Sequence, residues 1–131
     1  MKKVKSVSKL KKKADKIFSE FIRSRDRGVC FTCGKVDEWK YQDAGQFVTR
    51  GCEELRFNEK NVHCQCKRCN IWKGGEKIVY TLKMQRIYGM KMVNEFESIK
   101  FKSHKHWKIS ELEEIINKYK KKVDKLKKEI V

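Results

Sequence analysis

Four cysteines in two pairs, Cys30-Phe-Thr-Cys33 and Cys66-Lys-Arg-Cys69, have the spacing of zinc knuckles. A two-residue spacer lets both thiolates of a pair turn toward one ion, and a second pair completes a tetrahedral shell. Disulfides or buried thiols are the competing reading. A reducing compartment suits zinc thiolates better, and the N-terminus lacks the apolar region of a signal peptide. The four cysteines are therefore expected to hold a structural Zn2+. Cys52 and Cys64 fit neither pair and are expected to be a loop thiol and a buried strand residue.

Composition limits what surrounds this cluster. With 131 residues, 39% of them hydrophobic and 39% charged, one domain with a small core is expected, and a metal cross-link would add stability that packing alone does not supply. Lys and Arg number 34 against 17 Asp and Glu, a formal net charge of +17. That excess points to a polyanion, with nucleic acid the default partner. No apolar run is long enough to cross a bilayer, so neither a membrane nor export is expected.

The elements that must position the cysteines follow from periodicity. After a lysine-rich start, Leu10, Ala14, Ile17, Phe18, Phe21 and Ile22 predict an amphipathic helix from about Ser8 to Arg25, ended at Gly28. Phe47 and Val48 with Tyr41 suggest a short strand pair around a turn at Ala44-Gly45. Residues 51–58 form a loop that pins Leu55 and Phe57 inward. In a second strand, Val62 and Cys64 face one side, His63 and Gln65 the other. Cys69 is expected at the start of a helix running through Trp72 and broken at Gly74-Gly75. A further helix from Glu76 to Tyr88 points Val79, Leu82 and Ile87 inward, with Gly89 as its cap. A short helix with Met92, Val93, Phe96 and Ile99 as its stripe comes next. Ser110-Glu-Leu-Glu113 reads as a capping box opening the last helix. Its seam of Leu112, Ile116, Tyr119, Val123, Leu126 and Ile130 either folds back on the first helix or forms a coiled-coil homodimer. His104 and His106, beside Trp107, are expected to be structural or surface residues.

A zinc-held strand, loop, strand and helix resembles the frame of the ββα-metal, or HNH, nucleases. Their chemistry needs a base that activates water, a residue that orients it, and a divalent ion at the scissile phosphate. Asn61 matches the orienting position. Asn70, directly after the second cysteine pair, matches the ion-ligand position, with Lys73 one turn on.

A longer series of motifs is similar to one family. Phe18-Ser-Glu-Phe-Ile-Arg-Ser-Arg-Asp26, Cys30-Phe-Thr-Cys-Gly-Lys35, Asp43-Ala-Gly-Gln-Phe47, Arg50-Gly51, Leu55-Arg-Phe57 and Asn61-Val-His-Cys-Gln-Cys-Lys-Arg-Cys-Asn70 resemble the phage NinG (Rap) recombination proteins, and Tyr80 and Tyr88-Gly89 continue the match. The resemblance covers roughly residues 16 to 90. It implies a phage-encoded endonuclease acting on branched recombination intermediates such as Holliday junctions and D-loops, with catalytic Mg2+ or Mn2+. It also implies a place in the cytoplasm of an infected bacterial host, and other recombination proteins as further partners.

Where the family has Asp-Ala-Gly-His-Phe, this chain has Gln46, whose neutral amide cannot take a proton from water. Gly75 stands where the family usually has Asn. His63 or Tyr41 could replace the missing base, an ion-activated water could act without one, or the protein could bind branched DNA without cutting it. Asp43 is a candidate Mg2+ or Mn2+ ligand beside Asn70, with a turn-forming role as its alternative. Arg50, Arg56, Lys67, Arg68 and Lys73 are expected to meet phosphates.

The expected architecture is α+β and mostly helical. A basic tail over 1–15 precedes a small zinc-bound, HNH-like ββα core over 16–90 and a helical extension over 91–131, so that helices flank the core on both sides.

Overall fold

The computed structural model describes residues 6–49 and 51–129; the first five residues of the basic tail, Arg50 and Ile130 lie outside them. The order is α1 (Val7–Arg25), β1 (Asp43–Gln46), β2 (Val62–Gln65), a π-type turn at Arg68–Trp72, α2 (Lys77–Tyr88), α3 (Met90–Lys102) and α4 (Ile109–Glu129). The fold is mostly helical with a small two-stranded sheet. No helix among the described residues is long and apolar enough to cross a membrane.

Helix α1 begins where Ser6 Oγ accepts from the Lys9 amide at 3.4 Å, one residue before the predicted start at about Ser8. Its apolar stripe buries Ala14, Phe18, Phe21 and Ile22 against Leu112, Ile116, Tyr119 and Val123 of α4. Phe18 meets Tyr119 edge-on, with ring centroids 4.8 Å apart. Burying side chains of this size contributes about 1.5–3 kcal/mol each. The heptad-like seam of α4 is thus covered by α1 of the same chain. The opening of α4 differs from the predicted capping box. The helix starts at Ile109, and Glu111 Oε1 accepts from the Lys108 amide at 3.0 Å. Glu111 therefore sits where the box places its acid, two residues before the predicted Glu113.

Past α1 the chain reverses at Gly28. Its φ is +71°, and a Cβ there would sit 1.8 Å from the Asp37 carbonyl oxygen, so only glycine fits. This reversal delivers Cys30 beside the sheet.

The sheet corrects the predicted hairpin. Ala44 and Gly45 lie inside β1, not in a turn, and β1 pairs antiparallel with β2 in the register Asp43–Gln65, Ala44–Cys64, Gly45–His63 and Gln46–Val62. Tyr41 ends a separate 3-10 turn over Trp39–Tyr41. Gly45 suggests a turn in the sequence, but its role is close approach. The Gln65 side chain lies across it, and a Cβ there would fall 1.8 Å from Gln65 Oε1. Phe47 and Val48 pass beyond the strand into a second core with Phe31, Leu55, Tyr80, Met84, Val93 and Phe96.

Helix α2 buries a different face from the one predicted. Tyr80 and Met84, four residues apart, point inward, while Val79, Leu82 and Ile87 are exposed. Apolar residues occur on both sides of this helix, so periodicity alone did not select its buried side. In α3, Val93 and Phe96 are buried with Met92 and Ile99 packed beside them, as the stripe predicts.

Candidate metal centre and nucleic-acid face

The Gly28 reversal and the end of β2 bring the cysteine pairs together. The Sγ atoms of Cys30, Cys33, Cys66 and Cys69 all lie within 4.8 Å of one another. Cys33 and Cys66 are 3.7 Å apart. Four Zn–S bonds of ~2.3 Å in a tetrahedron imply edges of ~3.8 Å, so the cluster can hold a metal such as zinc. Backbone amides already face the sulfurs, with Lys35 N donating to Cys33 Sγ at 3.4 Å. Burial opposes ionisation of Cys30, but hydrogen bonds from Thr32 and from backbone amides hold its thiol down to about 6. Burial pushes Cys69 up to about 12. Cys64 is buried in β2 and Cys52 is buried at the start of a 3-10 turn, both away from the cluster.

Directly outside the sulfurs, the turn Arg68–Trp72 carries Asn70 against β1. Asn70 Nδ2 donates to Asp43 Oδ2 at 3.1 Å, and Lys67 Nζ reaches Asp43 Oδ1 at 2.8 Å. The sheet and the second cysteine pair thus bring together Asp43, Asn70 and Lys67. Arg68 and Lys73 are exposed on the same turn, and Lys73 pairs with Glu76 at 3.5 Å.

Other candidates sit elsewhere. Arg56 is turned inward, donating through Nε to Asp15 at 2.9 Å and through Nη1 to Glu53 at 3.2 Å. These ion pairs clamp the loop to α1 and engage the Arg56 guanidinium within the protein. Asn61 is fully buried. Its Oδ1 accepts from Val48 N at 2.8 Å, and its Nδ2 donates to the Val48 and Leu55 carbonyls. It orients the backbone that follows Gln46, not the Gln46 side chain. Gln46 is half-buried on the sheet face that carries Val62 toward α1.

His63 faces the opposite side, stacked on Phe31 with ring centroids 4.0 Å apart. Its Nδ1 is 3.0 Å from Tyr80 Oη and its Nε2 is 2.9 Å from Tyr88 Oη. Tyr80 donates its own proton to the Gly45 carbonyl at 2.8 Å. The Tyr80 oxygen therefore accepts from His63 Nδ1–H, and Nε2 accepts from Tyr88. Burial, reinforced by Arg25, pushes His63 down to about 4. The His63 ring is thus closed at both nitrogens and lies on the sheet face opposite Gln46. Strand alternation predicted that His63 faces away from Val62. The two tyrosines, eight residues apart on one side of α2, were the missed signal for its lock. Tyr41 remains exposed.

Comparison with known proteins agrees with the motif series. Residues 1–129 match the family described as Bacteriophage Lambda NinG protein. The chain is 36% identical to "Protein ninG" of Escherichia phage lambda over 119 residues, covering 88% of this chain and 56% of the relative. It is 35% identical to "Protein ninG" of Escherichia phage 933W, over 88% of this chain and 57% of the relative. The same identity and coverage hold for "Protein ninG" of Salmonella phage P22. The chain therefore spans little more than half the length of these relatives. No solved structure matches it. On the family match across nearly its whole length, this chain belongs to the phage NinG family.

Proposed function

We propose that this chain is a zinc-stabilised, divalent-metal-dependent endonuclease of phage recombination, binding and cutting branched DNA such as Holliday junctions and D-loops. The observation that carries this reading is the pairing of Asp43 with Asn70 beside the four thiolates. With Nδ2 of Asn70 on Asp43, the Asn70 carbonyl oxygen and the Asp43 carboxylate present hard oxygens suited to Mg2+ or Mn2+. Such an ion would act as a Lewis acid on the scissile phosphate. Asp43 and Asn70 hold it, Asn61 fixes the strand exit, and Lys67, Arg68 and Lys73 meet flanking phosphates. The four cysteines take no part in the chemistry and aim the turn. The site of action is the cytoplasm of the infected host, alongside other recombination proteins.

A second reading is a branched-DNA binder that does not cut. Gln46 at the base position, with His63 locked away from it, favours this reading. One assay separates the two, namely four-way junction cleavage in Mn2+ by the natural chain, Gln46→His and Asn70→Ala. Cutting by the natural chain that is lost in Asn70→Ala with binding retained supports the nuclease. Cutting by Gln46→His alone supports the silent binder. No cutting by any variant overturns the nuclease reading.

A further inference from the structure

We propose that Trp72 is a stacking platform for an unpaired base of the bound nucleic acid. The inference rests on the nucleic-acid reading above and names the part of the substrate this turn would grip. Trp72 is 83% exposed and its neighbour Ile71 is 60% exposed. Among the described residues no ring stacks on the Trp72 indole and no cation lies over it. Exposed tryptophan is uncommon because the indole has so much apolar area to cover, and such a surface marks a contact with something else.

The turn that presents it is firmly held. Asn70 N donates to the Cys66 carbonyl at 2.9 Å, Lys73 N to the Arg68 carbonyl at 2.9 Å, and Gly75 N to the Cys69 carbonyl at 2.8 Å. Gln65 Nε2 secures the far side by donating to the Gly75 carbonyl at 3.0 Å. Cys66 and Cys69 tie the near side to the thiolate cluster. A backbone already fixed in place leaves only the side chain to be ordered when the ring binds.

Charge decides the occupant. Lys67, Arg68 and Lys73 are exposed on and beside the same turn, and the chain carries +17. A second copy of the chain would bring the same cations to the contact, whereas a nucleotide brings a π-face and a phosphate together. The base must be unpaired, because in a continuous duplex both faces of each base are already covered. Branch points, flaps and displaced strands leave a face open.

The test measures binding of the full chain, Trp72→Ala and Trp72→Phe to three probes: a four-way junction, a fork with 2-aminopurine at its first unpaired position, and a blunt duplex of equal length. Trp72→Ala is expected to weaken fork and junction binding by about tenfold and leave the duplex unchanged, while Trp72→Phe keeps most of the affinity. The 2-aminopurine is expected to be dimmer in the natural complex than in the Trp72→Ala complex. Equal loss on all three probes, or no loss on any, overturns the inference while leaving the nucleic-acid reading in place. So does a change in oligomeric mass without a change in fork binding, since that marks a protein-docking surface. Failure of the natural chain to bind any probe overturns both.

Discussion

The Lys67 ammonium lies 2.8 Å from the Asp43 carboxylate, against the same acid that Asn70 holds from the other side. On the proposed reading Lys67 occupies the place of the divalent ion, and the two would compete. Lys67→Met is expected to lower the Mn2+ concentration needed for half-maximal binding several-fold, and Asp43→Asn to raise it at least tenfold. Paramagnetic broadening or calorimetric titration with Mn2+ reads both. Equal Mn2+ affinity in all three proteins would remove Asp43 from the site.

The four thiolates are expected to retain about one zinc ion per chain through purification, measured by elemental analysis. Cys33→Ser and Cys66→Ser should lose most of it, and Cys52→Ala should keep it. Chelation should unfold the corner between α1 and α2, because the binding energy of a structural zinc is largely folding energy. A natural chain that purifies without metal and melts at an unchanged temperature in chelator would contradict this.

Arg56 joins Asp15 and Glu53 across partly buried ion pairs. Arg56→Met should destabilise the fold by about 1–3 kcal/mol, between the values for exposed and fully buried pairs. It should not reduce the salt dependence of DNA binding. Arg68→Met, by contrast, should flatten that dependence by about one phosphate contact while leaving the urea midpoint unchanged.

His63 links stability to pH. Its folded value is about 4, lowered chiefly by burial and then by Arg25 and Lys83 against the opposing pull of Asp26. The unfolded value is ~6.5. Below pH 6.5 the unfolded chain gains a proton that the folded chain refuses until about pH 4. This contribution is therefore complete above 6.5 and falls away as pH drops through that window. Between pH 7.5 and 5.5 the natural chain should lose on the order of 1 kcal/mol more than His63→Gln in urea unfolding. Parallel curves for the two proteins would show that His63 is not buried neutral.

The sequence revealed features written as spacing and left hidden those written as contact. The cysteine pairs, α1 and the seam of α4 were legible because a two-residue spacer and a regular apolar stripe each have one physical reading. The β1 register was not, because glycine serves both turns and close approaches, and the Gln65 side chain that makes Gly45 necessary is remote in sequence. The inward face of α2 was hidden by apolar residues on both its sides. Arg56 looked like a phosphate ligand because its partners, Asp15 and Glu53, are identified only by the packing of the loop on α1. Asp43 and Asn70 were each candidates, but only the antiparallel pairing of β1 with β2 sets them side by side.

The clasp of α1 by α4 has a consequence for how the molecule is made. Helix α1 emerges from the ribosome well before its covering partner α4. At ~5–20 residues per second, a lysine-studded helix with a bare greasy side waits several seconds before α4 arrives. During synthesis that nascent segment is open to chaperones and to host polyanions. Slow translation between α1 and α4 should therefore lower the soluble yield, read as the soluble fraction of a chain carrying rare codons in that stretch.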